Sequence, residues 1–176
     1  MIDVLFICTG NAARSVMGGV SLHARRPDLT IETAGTLVVD GQPMSIRTRA
    51  AIEGVGHPLP RHASRQAGPD DLDRASLVVA LAPEHVEWVR RTHASAAPHT
   101  VTLLRLVRDL KPSTGESIRE QVLALGAGDA ELGDWEEVVD PGGGEIDVFA
   151  ECARQIDALI EELAPRLGPS GAAQPA

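Results

Sequence analysis

The chain has 176 residues, 43% of them hydrophobic, and its 25 acidic side chains against 16 basic ones give a net charge of −9. That length can bury one substantial core, and no run of about 18 apolar residues offers a membrane span. The acidic balance excludes a protein built mainly to hold nucleic acid, and two cysteines are too few for a disulfide framework and lack metal-ligand spacing. One domain is expected.

In chain order, an apolar run from Asp3 to Ile7 reads as a buried strand and delivers Cys8 into a short loop. A helical pattern follows over Arg14 to Arg25, interrupted by Gly18 and Gly19, each costing about 1 kcal/mol relative to alanine in a helix interior. Further strands are predicted at Thr30 to Thr33, Ser76 to Leu81 and His99 to Leu103. Further helices are predicted at Ser45 to Gly54, Pro83 to Arg91 and Glu145 to Leu163. Strands alternating with helices argue for an α/β protein with a parallel sheet and helices on both faces. In such a sheet the ligand crevice lies beyond the carboxyl ends of the strands, where Cys8 falls. Residues 112–137 read as a solvated insertion, with a flap over the site or a partner surface as the alternatives, since Ile118, Val122 and Leu125 recur at near-helical spacing. From Pro165 apolar periodicity stops, so residues 165–176 are expected to be a disordered tail after a domain spanning 1–164.

Cys8-Thr9-Gly10-Asn11-Ala12-Ala13-Arg14-Ser15 carries the chemistry. Residues 9–13 are small or polar, so their N–H groups can turn inward and cradle an oxyanion at the start of a helix, where the macrodipole also favours negative charge. The same field favours the thiolate form of Cys8, the reactive form of a nucleophile. Arg14 adds a planar fork that matches two phosphate oxygens. Asn11 tolerates a left-handed backbone, and the Ser15 hydroxyl can reach the sulfur. A Cys-x5-Arg spacing alone is weak; the strand before it, the Gly-Asn turn within it and the helix after it make it specific. No metal or cofactor is required by this chemistry.

With this loop, Thr33-Ala34-Gly35-Thr36 after the second strand, His62-Ala63-Ser64-Arg65-Gln66, Leu72-Asp73 before the third strand and Val139-Asp140-Pro141 late in the chain, the sequence resembles the low-molecular-weight protein tyrosine phosphatases and the related thiol-coupled arsenate reductases. The resemblance covers most of residues 2–160. It implies a three-layer α/β/α fold with sheet order 2-1-3-4. It also implies hydrolysis of phosphomonoesters, protein phosphotyrosine above all, through a cysteinyl phosphate. Cys8 is then the nucleophile, Arg14 and residues Thr9 to Ser15 bind the phosphoryl group, and Asp140 is the acid that protonates the leaving oxygen; a turn aspartate in Asp-Pro-Gly-Gly-Gly is the competing reading. His62 is expected to touch the loop.

The sequence departs from the resembling family in two places. Ala13 stands where a second cysteine often protects the nucleophile, and the chain has no tyrosine, with Gly142-Gly143 where many members place aromatic residues. Leu37, Val38 and Val39, or Trp135 swinging in from the insertion, are candidates for an apolar wall. An arsenate reductase would have to borrow a small thiol such as mycothiol or glutathione, because Cys152 lies on the core stripe Phe149, Cys152, Ile156, Leu159, Leu163. A phosphate-binding module with little turnover is the reading from another class, and it needs neither Cys8 nor Asp140. His23, His57, His85, His93 and His99 read as surface or structural, and Arg47, Arg49, Arg61 and Arg65 as a basic rim or as solvated faces. The partner is a phosphorylated protein or small phosphomonoester, with no nucleic acid and no membrane. A cytoplasmic monomer or weak dimer is expected, since the chain enters a strand directly and keeps a free thiol.

Overall fold

A computed structural model describes residues 1–170. Strands β1 (Ile2–Cys8), β2 (Ile31–Gly35), β3 (Ala75–Ala80) and β4 (Thr100–Thr102) form one parallel sheet in the order β2-β1-β3-β4. Cys8 pairs with Gly35 at the carboxyl edge, so the nucleophile candidate stands at the end of a central strand.

Every residue of β1 and β3 is buried, as expected for strands covered on both faces. Alternate side chains divide between two cores. Val4, Phe6, Cys8, Leu77 and Val79 face a cluster built with helices α1 (Arg14–Arg25) and α7 (Ile146–Leu163), whereas Leu5, Ile7, Val78 and Ala80 face α3 (Pro69–Arg74) and α4 (Pro83–Thr92). Gly18 and Gly19 follow from the first packing: a Cβ at Gly18 would lie 2.7 Å from the Phe6 ring, and one at Gly19 2.7 Å from Thr33 Cγ2. The helix lies so close to the sheet that the cost of glycine is offset by contact with β1 and β2.

Helix α2 (Ile46–Gly54) is capped by Ser45, whose Oγ accepts the Thr48 N–H. The strand expected to reach Leu103 is shorter, because the Thr102 hydroxyl caps a helix, α5 (Leu103–Asp109), that begins at once. The sequence reading missed this helix and α3.

Residues 112–137 are neither a solvated excursion nor a flap. Helix α6 (Ile118–Ala124) opens with a Ser117/Glu120 capping box and buries Ile118 and Val122 in the main core. Arg119 donates to the Ala75 carbonyl, and Arg90 donates to the carbonyls of Ala127 and Ala130. Residues 165–170 also depart from the expected disorder. Ala164–Arg166 form a 3-10 turn, Leu167 is buried, and Arg26 donates to the carbonyls of Ala164, Leu167 and Gly168. Backbone carbonyls satisfied by one buried-stem arginine order a segment that lacks apolar periodicity. Residues 171–176 of the expected tail lie outside the described residues.

Candidate active site

β1 ends, the chain turns through residues 9–13, and α1 begins at Arg14. The N-cap position, Ala13, makes no side-chain hydrogen bond to the helix, so no side chain of its own competes for the first-turn N–H groups. Asn11 takes φ 49°, the single left-handed non-glycine residue among those described, as its type permits.

Asn11 is also the hub of the loop. Its Nδ2 donates to Ser15 Oγ at 3.0 Å and Thr33 Oγ1 at 2.9 Å, and its Oδ1 accepts the Arg65 N–H at 3.0 Å. Its carbonyl accepts from His62 Nε2 at 2.6 Å and Ser64 Oγ at 3.1 Å. The Thr48 hydroxyl donates to the Ala12 carbonyl at 3.0 Å. These bonds turn the carbonyls of residues 11 and 12 away from the loop's concave side, leaving N–H groups for an anion. Ser15 Oγ is 3.1 Å from Cys8 Sγ. Because that oxygen already accepts from Asn11, its hydrogen is available to the sulfur.

Gly35 closes the site from the second strand. A Cβ there would lie 2.3 Å from Val38 Cγ2, 2.5 Å from the Thr9 carbonyl oxygen and 3.0 Å from the Asn11 nitrogen. Thr36 and Leu37 N–H groups donate to the Cys8 and Thr9 carbonyls. The sequence reading quoted Gly35 within a motif and gave no reason for it; the reason is this close approach of two backbones.

Arg14 is 2% exposed and divides its guanidinium between two acceptors: the Val138 carbonyl at 3.0 Å and Asp140 Oδ2 at 2.7 Å. Val138 is itself fixed by donating its N–H to the Leu81 carbonyl at the end of β3. The Asp140 side chain is 52% exposed, and its Oδ1 accepts the Gly142 N–H. Cys8, Arg14 and Asp140, chosen from sequence, therefore meet around one loop.

His85, which reads from the sequence as surface or structural, sits beside the loop. It follows β3 on the first turn of α4, at the carboxyl edge where ligand sites of this sheet type gather. The ring is 1% exposed, its Nε2 is 3.1 Å from Thr9 Oγ1, and its Nδ1 has no hydrogen-bond partner among the described residues. Burial first, then the charge of Arg14, push its pKa down to about 3 against the pull of Asp140, so the ring is neutral beside the cradle.

His62 reaches the loop as expected, through the Asn11 carbonyl, while other expected residues lie elsewhere. Arg65 is spent on Glu32 and Asp71, and His57 and Arg25 share Asp157, which ties α1 and the turn after α2 to α7. Arg61 and His62 border a cavity of about 480 Å³ between α1, β2 and residues 58–62 that neither Cys8 nor Arg14 lines. Trp135 does not reach the site; it lies under the Arg108 guanidinium, 3.9 Å from its ring centroid. Cys152 is buried, its Sγ 3.7 Å from the Val139 carbonyl, and burial pushes its thiol up to about 12. Among the described residues no three His, Cys, Asp or Glu side chains converge to hold a metal ion. No helix there is long and apolar enough to cross a membrane.

Residues 3–114 match the family model of the low molecular weight phosphotyrosine protein phosphatases. The chain belongs to this family. A low molecular weight protein-tyrosine-phosphatase of Streptomyces coelicolor is 31% identical over 162 residues, covering 88% of this chain and 87% of the relative. A protein-arginine-phosphatase of Geobacillus stearothermophilus is 25% identical over 165 residues, covering 93% of this chain and 95% of the relative. Among solved structures, an arginine phosphatase variant with a phosphorylated active-site serine shares the fold with TM-score 0.73 at 20% identity, over 93% of each chain.

Proposed function

We propose that this phosphatase hydrolyses protein phosphotyrosine with Cys8 as nucleophile, Arg14 and the N–H groups of residues 9–15 as phosphoryl cradle, and Asp140 as proton donor. The observation that carries this reading is the Arg14 fork, held at 2.7 Å from Asp140 directly beside the loop that presents the Cys8 sulfur.

In the first step the thiolate attacks phosphorus, the ester P–O bond breaks, and the leaving oxygen takes its electron pair and the proton of Asp140. The three equatorial oxygens lie among the loop N–H groups and the guanidinium, whose positions are set before the substrate arrives. In the second step Asp140 removes a proton from water, the water oxygen attacks phosphorus, and the S–P bond breaks to restore the thiolate and release phosphate. An incoming dianion competes with Asp140 for Arg14. The phosphorylated serine recorded in a structural relative fits a phosphoryl group carried on the loop. A free nucleophilic thiol suits a reducing compartment, and we place the enzyme in the cytoplasm.

Phosphoarginine is a second substrate reading, supported by the Geobacillus relative named a protein-arginine-phosphatase and by the glycines that follow Asp140-Pro141. Phosphate release from phosphotyrosyl and phosphoarginyl peptides, with arsenate plus mycothiol or glutathione in parallel, tests the assignment. Faster release from phosphotyrosine supports it. Preference for phosphoarginine selects the second reading, arsenite production selects a reductase, and phosphate binding without turnover selects a binding module.

A further inference from the structure

Nine large apolar side chains of the described residues are exposed, and six of them, Leu37, Val39, Ile46, Val139, Ile146 and Val148, belong to four segments around the phosphate cradle. Leu37 and Val39 follow β2, where the Leu37 N–H bonds the Thr9 carbonyl. Ile46, 81% exposed, opens the helix whose Thr48 holds the Ala12 carbonyl. Val139 lies between Val138 and Asp140, the two acceptors of Arg14. Ile146 and Val148 begin α7, brought next to α2 by the 3.8 Å approach of Arg47 to Glu145. Exposed apolar residues scattered singly need no explanation, but two-thirds of them gathered at one edge do.

We infer that this apolar rim is the docking surface for the polypeptide that carries the phosphoryl group, and that it selects phosphotyrosines flanked by aliphatic residues. The inference rests on the proposed phosphotyrosine reading. The rim is continuous with the cradle, so whatever presents a phosphoryl group to Cys8 must lie across it, and a small phosphomonoester is too short to do so. Charge supports the same occupant. Asp40 and Glu84 stand at this edge, Glu84 Oε1 accepting from the Thr9 hydroxyl, and the chain's net charge is −9. Arg47 is partly answered by Glu145, and aliphatic flanks cover surface that water otherwise wets.

The test uses the full chain and three substrates: para-nitrophenyl phosphate, a phosphotyrosyl peptide with Leu and Val at the flanking positions, and the same peptide with Glu there. The expected result is a kcat/KM about tenfold higher for the aliphatic peptide, carried by KM; this is ~1.4 kcal/mol, the burial of roughly 55 Å² of apolar surface. The double variant Ile46→Ser, Ile146→Ser should erase that preference and leave para-nitrophenyl phosphate turnover unchanged, since neither side chain touches the cradle. Equal kcat/KM on the two peptides, or a preference that survives the double variant, overturns the inference. Sedimentation of wild type and variant identifies the other occupant: a dimer dispersed by the substitutions, without peptide preference, makes the rim a face for a second copy and overturns the docking assignment. Failure to hydrolyse any phosphotyrosyl substrate instead defeats the parent reading and is seen separately, in the wild type alone.

Discussion

The loop of residues 8–15 and the loop of residues 138–144 meet at Arg14, yet they are built on opposite plans. The first has its key side chains Cys8, Asn11, Arg14 and Ser15 buried and is tied by β2, α2 and residues 62–65, with Asn11 alone taking part in five hydrogen bonds. The second is anchored at its start, where Val138 is 0% exposed, and then opens to solvent, with the Asp140 side chain 52% exposed. The difference suits the roles proposed for each. Dipoles that stabilise a developing charge are most effective when they do not reorganise. An acid that gives up a proton and takes one back from water has to remain accessible to water.

Substitutions across the two loops should therefore differ in kind as well as size. Cys8→Ser should abolish turnover of every substrate while retaining the fold and phosphate binding, because a hydroxyl fills the same space without ionising near pH 7. Cys152→Ser should leave activity intact, consistent with a thiol held protonated by burial. Steady-state phosphate release and isothermal titration with inorganic phosphate check both.

Arg14→Lys should lose about 10³-fold or more in kcat/KM, nearly as much as Arg14→Ala, since an arginine on a transferring phosphoryl group contributes on that scale and lysine cannot span the two acceptors. Near-normal activity in the lysine variant would reduce Arg14 to a distant positive charge.

Asp140→Asn should slow poor leaving groups by about 10²- to 10⁴-fold and activated aryl phosphates less. With an activated substrate, stopped-flow traces should show a burst of phenol before slow turnover, as the cysteinyl phosphate waits for a base. Uniform rates across leaving groups would return Asp140 to the turn residue of the competing reading, with Asp134 and Asp147 the next acids to try.

Asn11→Ala acts on the rigid loop through structure. It removes two donated bonds and one accepted bond from buried partners, and urea unfolding should show a loss of about 1–3 kcal/mol. The same measurement on Asp140→Asn should show a smaller change, because that side chain is half in water.

A further prediction concerns pH. Unfolded His85 takes up a proton below about 6.5, whereas the folded ring resists it down to about 3, so stability falls as pH drops through that window. One such group contributes at most ~1.4 kcal/mol per pH unit, and His85→Gln should flatten the acid side of the stability curve by no more than that. An unchanged slope would mean that the ring is protonated in the folded protein.

Much of this enzyme was local enough to be written in a short stretch of chain. A strand, a loop of small residues and a helix place Cys8, the cradle N–H groups and Arg14 within eight positions, so composition and spacing there specify the anion site almost without help. The sheet order and Asp140 came from resemblance, since periodicity cannot say which strands are neighbours. The rest required the assembled fold. Arg14 and Asp140 are 126 residues apart and meet because β3 ends beside β1 and fixes Val138. His85 looks like any helical histidine until α4 is seen to start at the carboxyl edge. Gly35 needs its lack of a Cβ because the end of β2 and the loop after β1 close to contact. Segments 112–137 and 165–170 were misjudged because their order comes from arginines reaching distant carbonyls, and such bonds leave no periodic trace in sequence.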